Sequence, residues 1–508
     1  MTAVSGIRDW VRLGATDNVL IALRALEPGT VLTDGLSALE PIPAGHKVAS
    51  QAIPKGACVF KYGQIIGTAF EDIPAGGHVH VHNLGMGDHS RDYAFASDAR
   101  ALVPVDAPRR FEGYHRPSGR VGTRNYIGIL TSVNCSGSVA RFIAEEVAGR
   151  AVLDAFPNVD GIVPIAHGSG CGMAGKGEGY ETLFRTLAGY ARNPNFGAIL
   201  MLGLGCEVMQ VPDLVGRAAL KDEARFRYMT IQGEGGTAAT IRRGLDIIRE
   251  LASEADKAVR RPAPARHLVL GMQCGGSDGY SGITANPALG HASDLLVRNG
   301  GTSILSETSE IYGAEHLLTR RAVDEPTGRK LIDLIDWWED YTARNFGEMD
   351  NNPSPGNKRG GLTTILEKSL GAVAKGGTAP LAGVYRYAEP IDQPGFVFMD
   401  SPGYDPCSVT GQVASGANLI AFTTGRGSVS GYMPVPGIKI ASNSDLWRRM
   451  EPDMDINCGD ILEGVEIEAK GREIFETILR VASGEKTKSE VQGFGAVEFV
   501  PWQIGAVM

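Results

Sequence analysis

Residues 126–137 read Tyr-Ile-Gly-Ile-Leu-Thr-Ser-Val-Asn-Cys-Ser-Gly, and residues 139–152 continue as VARFIAEEVAGRAV. An apolar run of strand length meets a short polar turn, and the stretch after it spaces its apolar residues at helical intervals. The pattern recurs. GIVPIA (161–166) precedes Gly168-Ser169-Gly170-Cys171-Gly172, and GAILML (197–202) precedes Gly203-Leu204-Gly205-Cys206-Glu207. HLVLGM (267–272) precedes Gln273-Cys274-Gly275-Gly276-Ser277-Asp278. Strands that alternate with helices form parallel sheets with both faces covered, and such sheets bind ligands at the carboxyl ends of their strands. Cys135, Cys171, Cys206 and Cys274 all fall at such ends, so the expectation is one active-site rim assembled from distant parts of the chain.

Working outward, residues 1–100 read differently. Short runs (NVLIAL, HKVAS, CVFKYGQIIGTA, HVHVHNL) are separated by Pro-Gly, Pro-Ala-Gly, Pro-Lys-Gly and Pro-Ala-Gly-Gly turns, which predicts a small β-rich barrel or clip. Residues 101–112 carry two prolines and little pattern and read as a linker. Residues 113–258 form a first α/β unit, with strands near 126–133, 161–166 and 197–203 and helices near 137–150, 178–191 and 237–256. A Pro/Arg-rich joint, Arg260–Pro264, precedes a second α/β unit over 265–508. The fold class is therefore α/β multidomain, a β-rich N-terminal domain followed by two parallel-sheet units.

Composition bounds the function. A chain of 508 residues exceeds one core. A net charge of −9 argues against nucleic acid or a membrane surface as partner. No apolar run is long enough to span a bilayer, and residues 1–19 lack the apolar centre of a signal peptide. Seven cysteines, an odd number, do not look like a disulfide framework. The expected setting is cytoplasmic, with reduced thiols.

Three features carry chemistry. His78, His80 and His82 alternate with valines, with His89 close behind. On one strand the first three would share a face and could bind a metal or serve as acid and base. The four cysteine turns offer thiolates, which suit soft metals or an iron–sulfur cluster. His167 and Glu207 stand beside two of those turns as candidate acid–base groups or ligands. The segments 274–287 and 351–358 combine glycines, hydroxyls and amides suited to a polar anion, and Lys358 and Arg426 are candidates for holding a carboxylate. No P-loop motif is present, and the glycines at 168–172 have the wrong spacing for a dinucleotide-binding turn.

At these residues the chain resembles the altronate/galactarate dehydratase family of sugar-acid lyases. The signatures are HVHVHN, GYHRPSGRVGTRN (113–125), GLGCE (203–207), CGGSDGYSGITANP (274–287), NPSPGNKRGG (352–361) and TTGRG (423–427). The match is nearest to altronate dehydratases with a fused N-terminal SAF (β-clip) domain. The resemblance implies an iron(II)-dependent hydro-lyase acting on a 2,3-dihydroxy acid. D-Altronate would give 2-keto-3-deoxy-D-gluconate; galactarate dehydration and (2R)-3-sulfolactate cleavage are the alternatives. Manganese(II) is a substitute for the iron, and an iron–sulfur cluster a minor alternative. The expected partner is a small sugar acid, with assembly into a homo-oligomer left open. The expected catalytic set is His80, His82, His167 and Glu207. Ser277, Asp278, Asn286, Lys358 and Arg426 are expected to bind substrate. The metal would fall to His80 and His82 or to the thiols of Cys135, Cys171, Cys206 and Cys274.

Overall fold

The computed structural model describes residues 9–33, 35–88, 91–220, 222, 224–505 and 507. The N-terminal unit is built from short antiparallel strands. One sheet runs Trp10–Val11, Val19–Ala22, Lys47–Ala49, His78–Val79; another runs Cys58–Lys61, Gln64–Ala69, Leu84–Gly85. Pro-containing turns reverse the chain between them, and their glycines tie back to the sheet: Gly45 N donates to Ala22 O, Gly56 N to Ala69 O and Gly76 N to Ala49 O. Leu20, Ile42, Val48, Val59 and Ile66 fill the interior.

In the next unit the strands Tyr126–Thr131, Gly161–Ile165, Phe196–Gly203 and Phe226–Thr230 form one parallel sheet, with Tyr126–Thr131 between Gly161–Ile165 and Phe196–Gly203. Alternate side chains point to opposite faces. Ile127, Ile129, Leu200 and Leu202 pack under the helices Gly137–Gly149 and Thr237–Ala255, through Val139, Ile143, Ile248 and Leu251. Leu130 and Met201 face the other way, in the same core as Leu183 and Leu187 of the helix Glu178–Ala191. Both faces are covered, which is why these strands are apolar throughout rather than alternating.

The third unit holds seven parallel strands, ordered Leu381–Tyr385, Gly395–Met399, Thr302–Ser306, Val269–Cys274, Leu419–Thr424, Gly437–Ala441, Ile456–Asn457. The chain first winds to one side of Val269–Cys274 and later returns on its other side. The switch point therefore lies between Val269–Cys274 and Leu419–Thr424, and their following loops frame the crevice. In the smaller sheet the equivalent point lies between Tyr126–Thr131 and Phe196–Gly203.

The stretches read as linker and joint are partly structured. Arg110–His115 pairs with both Val121–Gly122 and Arg260–Pro264, so residues 110–112 begin a strand. Pro262 and Pro264 are tolerated because Arg260–Pro264 is an edge strand. Sequence pattern also missed the strands Phe226–Thr230 and Gly437–Ala441 and the helices Asp405–Ser415 and Ile467–Ala482.

Candidate functional site

The histidine-rich segment is a strand only over His78–Val79. His80 O then accepts from both Asn83 N and Leu84 N. The Asn83 side chain clamps the turn, donating to His78 O while its Oδ1 accepts from His80 N. The chain bends away before His82, so the three alternating histidines do not form one flat row. The third member of the cluster comes from elsewhere. Lys47 pairs with Val79 and Val48 with His78, which sets His46 opposite His80 on the same face. His46, His78 and His80 each offer a ligand nitrogen, all within 4.8 Å of one another. His46 Nδ1 is 3.0 Å from His78 Nε2, and the His80 Nδ1 is buried without a partner. His82 is exposed; its Nε2 accepts from the Asn83 amide, and its ring centroid lies 5.3 Å from that of His78. His89 lies outside the described residues.

Sequence reading missed His46. Its signal was the repeat of Pro43-Ala44-Gly45-His46 and Pro74-Ala75-Gly76-Gly77-His78, two like turns that each deliver a histidine to the start of a strand.

The cluster sits at a seam with the third unit. His46 Nε2 is 3.3 Å from Arg359 O. Gly279 N donates to Gly360 O, and a Cβ on Gly279 or on Gly361 would overlap the Gly45 carbonyl. Only glycine permits backbones to come this close. Beneath the seam, fully buried Glu367 binds two lysines of the N-terminal unit, Lys47 at 2.8 Å and Lys61 at 2.8 Å. Lys47 also donates to Gly361 O, and Thr363 N and Oγ1 donate to Glu367. Burial lowers Lys47 to about 8 despite Glu367. Lys61 is equally buried, yet Glu367 holds it above its ordinary value. Burial alone would raise Glu367, but the two ammonium groups hold it well below the usual range.

The surroundings hold the histidines neutral, the state in which an imidazole can donate to a metal. Burial lowers His46. Burial, then His46 and His82, lower His78 to about 4. Burial, then Lys47, lowers His80 to about 3. Three neutral imidazoles with an orphaned ring nitrogen are a fitting donor set for a borderline divalent metal such as iron(II).

The crevice loops of the third unit adjoin this seam. Gly425 N and Arg426 N both donate to Gly276 O. Asp278 accepts from Tyr280 N, Ser281 N, Ser281 Oγ, Ser442 Oγ and Asn443 Nδ2. It therefore organises the loops. Burial raises its pKa, and these donors oppose that rise. Ser277 Oγ is buried and has no partner, while Asn357 Nδ2 holds the Ser277 carbonyl. Lys358, half-buried on the helix Pro355–Arg359, and exposed Arg426 are in no salt bridge among the described residues. Asn286 is internal: its amide donates to Gly371 O and accepts from Thr423 Oγ1.

The expectation of one rim of four thiols is not met. Cys274 is buried in the third unit, with Lys375 Nζ 2.8 Å and Glu310 Oε2 3.4 Å from its sulfur. Cys274, Glu307 and Glu310 bring ligand atoms within 4.8 Å, yet Lys375 and Lys368 already supply the positive charge, Lys368 lying 2.6 Å from Glu310. Burial raises Cys274 to about 12, and burial with the adjacent Glu310 keeps Glu307 protonated well above its ordinary value. The result is a buried ionic cluster of two lysines, two glutamates and Cys274. Cys135, Cys171 and Cys206 belong to the second unit and are exposed. His167 and Glu207 are there too, pinned inside their turns. His167 Nε2 is 3.2 Å from Thr131 O and its Nδ1 accepts from Ser169 N; burial lowers it to about 4. Glu207 accepts from Ser132 Oγ and Gly205 N. The structure thus brings His78, His80, His82, Ser277, Asp278 and Lys358 to one neighbourhood with His46, and sets His167 and Glu207 in another.

Comparison with known proteins agrees with this architecture. Residues 8–87 match the altronate/galactarate dehydratase SAF domain. Residues 113–256 match the second domain of D-galactarate dehydratase/altronate hydrolase, and residues 265–507 the C-terminal domain of D-galactarate/altronate dehydratase. The altronate dehydratase of Escherichia coli K12 is 35% identical over 489 residues, covering 96% of this chain and 97% of its own. The galactarate dehydratase (L-threo-forming) of the same strain is 39% identical over 490 residues, covering 94% and 93%. The altronate dehydratase of Bacillus subtilis 168 is 33% identical over 493 residues, covering 96% and 98%. The chain is a lyase belonging to the altronate/galactarate dehydratase family.

Proposed function

We propose that this protein dehydrates a sugar acid by β-elimination, at the seam where the N-terminal histidines meet the crevice loops of the third unit. The observation that carries the reading is the trio His46, His78 and His80 facing the 274–287 and 352–361 loops in a chain of this family. Removing a proton α to a carboxylate requires the resulting charge to be stabilised. Iron(II), or manganese(II) in its place, held by the three imidazoles would supply Lewis acidity toward the carboxylate and its neighbouring hydroxyl.

The chain's own residues do the rest. Ser277 Oγ, buried and unpartnered, offers a hydrogen bond to a substrate hydroxyl or carboxylate oxygen. Lys358 and Arg426 bring positive charge to the mouth of the crevice. His82, exposed beside His78 and steadied by Asn83, is positioned to move a proton between substrate and solvent. Asp278 holds the loops so that these groups face one another.

D-Altronate is the first substrate reading, supported by the 35% and 33% identity to two altronate dehydratases, and galactarate the second, supported by the 39% identity to a galactarate dehydratase. The two differ in a second carboxylate, which would need one more of the loop cations. All seven cysteines are unpaired and no described helix is long and apolar enough to cross a membrane, which supports a reducing, cytoplasmic setting. The test is an anaerobic assay with iron(II) against aldonic acids, aldaric acids and sulfolactate. A 2-keto-3-deoxy acid formed from one acid, and lost with chelator, is the expected result. Release of sulfite, or turnover untouched by removal of His46 and His78, would overturn the reading.

A further inference from the structure

The second unit is left without a role by the seam site, yet its sheet ends are unusually furnished. Cys135, Cys171 and Cys206 follow the carboxyl ends of three adjacent parallel strands, with Cys135 on the central one. Cys135 and Cys206 flank the switch point of that sheet, where doubly wound folds bind ligands. The three turns are laced together close to each cysteine. Asn134 N donates to Ser169 O, Met209 N to Gly170 O and Ser132 N to Leu202 O. Gly170 lies so close on the Ser132–Val133 backbone that a Cβ there would overlap the Ser132 carbonyl. All three cysteines are exposed, an arrangement that burial alone does not explain for so apolar a side chain. The helix Gly137–Gly149 starts just after Cys135. Gln232 Nε2 donates to Cys206 Sγ at 3.3 Å, the type of contact that tunes metal-bound sulfur.

Spacing decides what such a trio would hold. Around one tetrahedral ion with metal–sulfur bonds near 2.3 Å, ligand sulfurs stand only about 3.8 Å apart. The three thiols do not form a group within 4.8 Å among the described residues. Neighbouring strands run about 4.8 Å apart, so the strands that lead to the outer two cysteines lie about 10 Å apart. A cube of four irons takes each thiolate on a different corner and spans that wider gap. We infer that Cys135, Cys171 and Cys206 hold a four-iron iron–sulfur cluster, with the fourth iron left to a ligand other than a cysteine. His167 and Glu207 then act as positioning residues that hold the 168–172 and 203–207 turns in place. This site is separate from the seam and stands or falls independently of the proposed dehydratase site.

The test uses the full-length chain, purified anaerobically and reconstituted with iron(III), sulfide and excess thiol, which reduces part of the iron to the mixed-valent state of the cluster. The expected result is about four irons and four acid-labile sulfides per chain beyond the iron at the histidines. A broad visible absorption and a paramagnetic signal after reduction should accompany them. Cys135→Ser, Cys171→Ser and Cys206→Ser should each lose most of the labile sulfide, while Cys58→Ser and the His46→Ala variant keep it. In the wild-type protein, loading should protect these three cysteines from alkylation, a readout that does not depend on any variant folding. Absence of labile sulfide after reconstitution, or a cluster that survives loss of any two of the three thiols, would overturn the inference. Activity retained without the cluster would leave the seam reading intact, and loss of the seam site would leave the cluster signals intact.

Discussion

His46 Nδ1 stands 3.0 Å from His78 Nε2 across two antiparallel strands, although 31 residues separate them in the chain. The pair, completed by His80, is the only all-histidine set among the described residues with ligand atoms this close. In the proposed site His46, rather than exposed His82, would complete the ligand set. His46→Ala should lower iron affinity by at least about a hundredfold, as removal of ligands and of their close supports does. His82→Ala should keep iron bound and lower kcat. Iron content after dialysis, read beside steady-state rates, separates the two. Equal iron loss in both variants would contradict the assignment.

The second prediction concerns backbone alone. Gly279 touches no candidate ligand, but a Cβ there would overlap the Gly45 carbonyl, the residue next to His46. Gly279→Ala should push the N-terminal unit off the crevice loops. The expected signature is a fall in kcat/KM of tenfold or more, since small misplacements at an active site cost that much. Circular dichroism and the stability of the two α/β units should stay close to wild type. Unchanged kinetics would mean that the seam is not where the chemistry occurs.

Much of the architecture was legible in the sequence because the central strands are buried on both faces. Ile127, Ile129 and Leu130 leave no polar positions to confuse the period, and the helices after them are amphipathic. Phe226–Thr230 was not legible: Arg227 and Tyr228 interrupt its apolar run at the sheet edge. The site was half legible. His78 and His80 stood out by their spacing, but His46 reaches them only through strand pairing, which no local pattern shows. The four cysteines looked equivalent because each follows a strand. Which sheet each strand joins decides otherwise, and Cys274 lies among Lys375 and Glu310 on a sheet of its own.

Glu367 offers a test of the seam's electrostatics. It is buried with Lys47 and Lys61 on one side and Thr363 on the other. Glu367→Gln would leave two ammonium groups buried with no counter-charge. Removing one partner from such a group costs roughly 3–5 kcal/mol, and here the loss falls between units. Denaturant unfolding should show the N-terminal unit releasing at lower denaturant than the rest. Lys47→Met combined with Glu367→Gln should recover part of the loss, because only one buried charge then remains. A single unshifted transition in Glu367→Gln would exclude this account.

Asp400 yields a pH dependence with a definite sign. Its carboxyl is buried, and burial raises it from 3.8 to about 6 even though Thr308 Oγ1 and Trp338 Nε1 donate to it. A carboxyl raised on folding prefers its proton in the folded state. Its stabilising effect is full below the unfolded value of 3.8 and is lost as pH rises through about 6. The loss approaches roughly 3 kcal/mol for a shift of this size, at 1.36 kcal/mol per unit. Asp400→Asn keeps an acceptor oxygen for both donors and cannot ionise. The variant should therefore unfold at the same temperature as wild type near pH 4 and at a higher temperature above pH 7. The difference should open through the window between those values. Thermal unfolding of both proteins across that range is the measurement. A variant less stable than wild type at pH 8 would show that the two donors to the ionised carboxylate outweigh its burial, so that folding does not raise this carboxyl.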